Sequence, residues 1–283
     1  MNHFHTPTNG ETPGAGPDRV DVLWEEIWNL LEEGRADQAV AAALKGLGET
    51  GEIPEMRFLL GIALLEMDES QASAVELEKA VELDPSWAQA YEALAWARFR
   101  GCHFAAAGDA VAAALELDPT LADSHHLHGL LIERAGMDDE AEESFAEARR
   151  LDSERYPEPV EMDEDEFLEI AQQAVADLDE EIRDVLEETA FFVQPFPSDD
   201  LLAGADPALD PQILGLFHGQ NRLDQSVHDS GSLPNTMYLF HRNLQRAVTT
   251  REELEEEIRI TVLHEIGHHL GWDEEDLEER GLG

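Results

Sequence analysis

Cysteine is nearly absent from the 283 residues: Cys102 stands alone. One thiol makes no internal disulfide and no cysteine-based zinc cluster, and its isolation fits a reducing, cytoplasmic compartment. Lysine is almost as scarce, with Lys45 and Lys79 the two in the chain. Eighteen basic side chains against 64 acidic ones leave a formal net charge of −46. Gripping nucleic acid requires clustered cations that displace counterions from phosphates, so that class is excluded, and anionic membrane surfaces are disfavoured for the same reason. No apolar run approaches the roughly 20 residues that span a bilayer. Residues 1–19, rich in Gly, Pro and Thr, lack the basic start and apolar centre of a signal peptide and read as a disordered tail. What is present is 42% hydrophobic residues, enough at this length for about two domains with real cores.

The first half repeats. A shift of 34 residues aligns Asp84-Pro85 with Asp118-Pro119 and Asp152-Ser153, each closing an Ala/Leu/Glu stretch. The same shift relates Ala39, Ser73, Ala107 and Ala141; Ala43, Leu77, Val111 and Phe145; Gly46, Ala80, Ala114 and Ala148; and Ile27, Gly61, Ala95 and Gly129. Recurring small residues mark places where two antiparallel helices pack closely, and 34 residues is the length of one helix-turn-helix hairpin. Residues 20–155 therefore resemble four tetratricopeptide repeats, an all-α solenoid.

Such a solenoid presents a concave face built from the first helix of each pair. That places Trp24, Trp28, Phe58, Ile62, Trp96 and Phe99, with Leu130, as a candidate partner groove. The competing reading is that these aromatics fill the solenoid core or dock the second domain. Family members that hold a C-terminal carboxylate use Lys, Arg and Asn on this face, whereas Trp24, Phe58, Glu92 and His126 stand at the corresponding places here. A carboxylate clamp is not expected. The trio His125, His126 and His128 invites a metal reading, but helical spacing lets at most two converge.

Tyr156-Pro157-Glu158-Pro159-Val160 ends the last helix, because proline fixes φ and biases its predecessor to extended backbone. Residues 156–162 read as the linker, and 163–283 as a second, smaller α+β domain. Phe167, Ile170, Ala174, Leu178, Ile182 and Leu186 have helical spacing, with a break near Asp177–Asp179. Ala190–Val193, Ile213–Phe217 and Thr236–Phe240 favour strands, the last a candidate edge for pairing with a substrate backbone. Thr250 with Glu253 is a capping-box signature, and Leu254, Ile258, Val262 and Ile266 form an i, i+4 apolar row ending near Gly271.

On that helix lies His264-Glu265-Ile266-Gly267-His268. Residues four apart lie one above the other, so both imidazoles can reach one ion. Glu265 is turned about 100° away, where it would hold a water rather than the metal. Gly271 lets the chain stop sharply and return a third ligand, with Glu274 first and Asp273 its rival. A structural zinc site would need a fourth protein ligand such as His269 or Asp273.

Residues 163–283 resemble the small zincin-like metallopeptidases called minimal zincins. The matching stretches are Ile213-Leu-Gly-Leu-Phe-His-Gly219, His228-Asp-Ser-Gly-Ser-Leu-Pro234 and Thr261-Val-Leu-His-Glu-Ile-Gly-His-His-Leu-Gly271. The resemblance implies zinc held by His264, His268 and Glu274, with Glu265 catalytic. It departs at Trp272-Asp273, which keeps Asp273 in play. The expected function is a zinc-dependent peptidase acting on peptides or proteins, basic ones favoured by the charge, with repeats that recruit a substrate or protein partner. The alternative is a catalytically silent, zinc-stabilised adaptor. Partners for a developing oxyanion are left open among His228, Tyr238, His241 and Arg242.

Overall fold

The computed structural model describes residues 19–178, 183, 189–205, 207–218 and 235–272. The chain divides into two compact units, Met1–Tyr156 and Pro157–Gly283. Among the described residues no helix is long and apolar enough to cross a membrane.

The first unit is four helical hairpins: α1 (Arg19–Glu32) with α2 (Ala36–Thr50), α3 (Pro54–Leu65) with α4 (Ser70–Leu83), α5 (Ala88–Arg100) with α6 (Phe104–Leu117), and α7 (Ala122–Arg134) with α8 (Asp138–Leu151). The repeat explains how each hairpin closes. A Cβ on Gly61 would lie 2.5 Å from Leu77 Cγ, and one on Gly129 would lie 2.5 Å from Phe145 Cε1. The same register matches Ile27 with Ala43 and Ala95 with Val111, all four fully buried. In every pair a larger side chain meets a smaller one, so each hairpin keeps the summed volume rather than either residue, which is what a close-packed interior demands.

The turns repeat as well. Gly34, Asp68, Cys102 and Gly136 stand 34 apart and all hold φ near +60 to +80° (69, 60, 60 and 78°). After each, a backbone N–H bonds back five residues: Arg35 to Leu30, Glu69 to Leu64, His103 to Arg98 and Met137 to Ile132. This is the Schellman ending of a helix, whose left-handed seat suits glycine. The lone cysteine thus occupies a turn seat that glycine fills in the first and fourth repeats.

The solenoid's last turn is held by polar contacts. Tyr156 Oη donates to Asp123 Oδ1 at 2.9 Å, Arg155 pairs with Asp123 at 2.7 Å, and the Tyr156 ring stacks on His126 with centroids 4.4 Å apart. Tyr156 therefore belongs to the repeats. At the other end of the expected linker, Val160 N–H donates to Gln245 O, Gln245 Nε2 donates to Met162 O, and Met162 enters the second core. The two ends of the 156–162 segment are thus tied into the units they adjoin.

The second unit contains α9 (Glu164–Ala176), β1 (Ala190–Gln194), α10 (Asp199–Ala203), β2 (Gly215–His218), β3 (Thr236–Phe240), α11 (His241–Ala247) and α12 (Arg251–Leu270). α9 stops at Asp177, where the break was expected; most of the anticipated continuation lies outside the described residues. The sheet order is β1-β3-β2, with β1 parallel and β2 antiparallel to β3. β3 is central, so Thr236–Phe240 is not an edge: both its sides are already hydrogen-bonded. Met237 and Leu239 face a core completed by Phe167 of α9 and by Leu254, Ile258, Val262 and Ile266, the predicted row of α12.

Candidate metal centre

Both ends of α12 are fixed locally. Thr250 Oγ1 accepts from Glu253 N–H at 3.2 Å, while the Glu253 carboxylate accepts from the N–H groups of Thr250 and Thr249 at 3.0 and 2.9 Å. These bonds hold the Glu253 carboxyl below the usual carboxylate range. At the far end Gly271 takes φ +86°, and Trp272 N–H returns to Gly267 O at 2.9 Å. The helix therefore finishes at Leu270, less than two turns after His264.

Near that end, one helical turn apart, the Nε2 atoms of His264 and His268 lie 2.9 Å apart, the rings nearly perpendicular at 83°. Zn–N distances of about 2.0–2.1 Å in a tetrahedral site put two ligand nitrogens about 3.3 Å apart. The pair has the chemistry of zinc ligands, and at 2.9 Å its nitrogens stand at hydrogen-bond distance, a little inside that spacing. Glu265, half-buried, reaches the other way: its Oε2 accepts the backbone N–H of Phe217 in β2 at 2.9 Å.

Residues 186–283 match the zincin-like metallopeptidase family. No curated protein sequence matches the chain. Solved structures similar to the repeats include MamA, at 23% identity over 48% of this chain and 80% of that one, with a TM-score of 0.43. MamA from Desulfovibrio magneticus RS-1 is also 23% identical, over 47% and 76%, with a TM-score of 0.43. YrrB, described as a tetratricopeptide-repeat protein with an unusual peptide-binding site, is 18% identical over 48% and 70%, with a TM-score of 0.42.

In the zincin-like unit, Glu274 and Asp273, the two candidates for a third ligand, lie outside the described residues, as does His228. Among the described residues no group of three His, Cys, Asp or Glu side chains could hold a metal ion. His269 does not join the pair: it is 6% exposed and stacks on Phe217 with centroids 4.2 Å apart. Tyr238 stacks on Phe192, and His241 packs against Phe167 and lies 3.7 Å from Glu164.

Two residues of this site escaped the sequence reading. Phe217 contributes a backbone N–H, which no residue type announces. Gly215 did carry a signal, because a glycine inside a strand marks a close backbone approach; a Cβ there would meet Thr261 Cγ2 at 2.6 Å and Glu265 Cγ at 3.5 Å.

The partner groove needs correcting. Phe58, Phe99, Trp24 and Ile62 are 0, 2, 7 and 7% exposed, so they are core; Trp28 and Trp96 retain partial exposure. The cause is mutual stacking: Trp24 lies parallel to Trp28 and Phe58, and Trp87, unremarked in the sequence, closes on Phe58 at 4.5 Å. The histidine trio diverges, with His125 against Pro119 O, His128 against Ser144 Oγ and His126 against Tyr156. Glu92, one repeat on from Phe58, is buried and accepts from Ser124 Oγ at 2.7 Å. Burial above all, then the charge of Asp123, pushes its carboxyl up to about 7.

Proposed function

We propose that this chain is a zinc-dependent peptidase, its repeats recruiting a substrate or protein partner. The observation that carries the reading is the convergence of His264 and His268 at 2.9 Å, with Glu265 one residue after the first, in the last two turns of a helix that Gly271 ends. His264 and His268 would hold zinc together with a carboxylate from Glu274, with Asp273 as the rival; two imidazoles and a carboxylate are a usual catalytic zinc set. When bound, zinc supplies Lewis acidity that polarises a carbonyl and lowers the pKa of water toward about 7.

The chain's own residues supply the proton traffic. Water adds its oxygen to the scissile carbonyl carbon as Glu265 takes the proton, and Glu265 then gives that proton to the departing nitrogen as the C–N bond breaks. With Oε2 on the Phe217 N–H, Oε1 is the oxygen left for that transfer. The net charge of −46 favours basic peptides.

The test is cleavage of a Lys- and Arg-rich peptide pool by zinc-supplemented wild type and Glu265→Gln, read as new amino termini. The variant is expected to be slower by about 10²–10⁴-fold. No cleavage by wild type, or equal cleavage by both, contradicts the peptidase reading and leaves the zinc-stabilised adaptor.

A further inference from the structure

We infer that strand β2 is the positioning element for Glu265: the Phe217 N–H holds its carboxylate, and Gly215 lets the strand come close enough to do so. The role given to Glu265 rests on the proposed peptidase; the holding contact does not.

The register frees the donor. Phe240 N–H donates to Leu214 O at 2.9 Å, and in an antiparallel ladder hydrogen-bonded pairs alternate. Leu216 and His218 therefore bond toward β3, while Gly215 and Phe217 turn their N–H groups to the outer side. A partly buried outward N–H needs an acceptor. Glu265 Oε2 is that acceptor, and a carboxylate makes the bond charge-assisted.

Three residues of α12 at i, i+4 spacing meet the strand in turn. Thr261 faces Gly215, Glu265 takes the Phe217 N–H, and His269 stacks on the Phe217 ring. His264 and His268 form the neighbouring stripe, so the docking that aims Glu265 also sets the roll of the helix beneath the imidazoles. Any side chain at 215 would strike the Thr261 methyl at 2.6 Å and meet Tyr238 O at 3.2 Å, lifting the strand from the carboxylate. Gly215 and Phe217 are positioning residues; neither needs to touch substrate.

Amide exchange of Phe217, followed by NMR on the full zinc-supplemented chain, tests the contact without activity. An outward amide on an outer strand exchanges fast unless something caps it. In wild type it should be protected, in Glu265→Ala protection should drop about tenfold or more while the Leu216 amide changes less than about twofold, and Glu265→Gln, which keeps an acceptor, should retain most of it. Gly215→Ala should lower Phe217 protection and cut kcat about tenfold or more with KM nearly unchanged, and adding Thr261→Ser, which removes the struck methyl, should restore both. A Phe217 amide unprotected in wild type, or still protected in Glu265→Ala, overturns the inference even if peptides are cleaved. If no peptide is cleaved, the peptidase reading fails and the exchange result alone decides the contact.

Discussion

In the solenoid, the residue facing Gly61 is Leu77 and the residue facing Gly129 is Phe145, each 16 positions along and inside the same hairpin. In the zincin-like unit, the group holding Glu265 is a backbone N–H 48 positions earlier, on the strand β2 that pairs with β3. The solenoid can exchange a large residue for a small one across a hairpin and keep its fold, because four copies solve the same packing problem separately. The second unit has one copy of each contact, so a misfit at Gly215 has no local compensation except at Thr261. Periodic architecture offers such a pair in every hairpin; the site offers one, Gly215 with Thr261.

The largest effect expected within that comparison is on the volume pairs. Gly129→Ile should destabilise the solenoid by about 2–3 kcal/mol, because the ring of Phe145 fills the space a side chain would need. Adding Phe145→Ala copies the Ile27–Ala43 pair and should recover most of the loss in urea melts. Absence of coupling between the two sites breaks the volume rule.

Next is Glu92, whose carboxyl is raised to about 7 against 4.5 unfolded. Between those values the folded chain binds more protons than the unfolded one, so its stability falls as pH rises from 4.5 through 7. Glu92→Gln should flatten that slope and add on the order of 2 kcal/mol at pH 8. Melting temperatures of both proteins across pH 5–8 check the sign.

Smaller again are the turn seats. Cys102→Gly should stabilise by about 0.5–1 kcal/mol by relieving a side chain at φ +60°, and Asp68→Gly by less, because it also removes the ion pair with Arg100. Gly34→Ala should cost a similar amount. Thr250→Ala should cost about 1 kcal/mol in the zincin-like unit through the lost helix cap.

How much of this was legible in the sequence follows the same division. Four positions in register at a shift of 34 revealed the hairpins, since each repeat writes the same constraint again. The recurring left-handed turn stayed hidden, because Asp68 and Cys102 break the glycine pattern set by Gly34 and Gly136. Between groove and core the sequence did not decide at Trp24, Phe58, Ile62 and Phe99, as large apolar residues on a first helix look alike whether they pack inward or line a face. On α12 the capping box, the apolar row and the terminal glycine were all readable, each being local. The order β1-β3-β2 was not, because strand pairing is a long-range choice that the order of strands along the chain does not dictate. The Phe217–Glu265 bond was beyond reach for a different reason: its donor is main chain.

The proposed peptidase depends on whether His264 and His268 share an ion. The deciding measurement is zinc content by elemental analysis on purified, zinc-supplemented wild type, His264→Ala, Asp273→Ala and Glu274→Ala. One zinc per chain in wild type, lost with His264 and Glu274 and kept with Asp273, is expected. A wild type that holds no zinc contradicts the peptidase and leaves the repeats to carry the function.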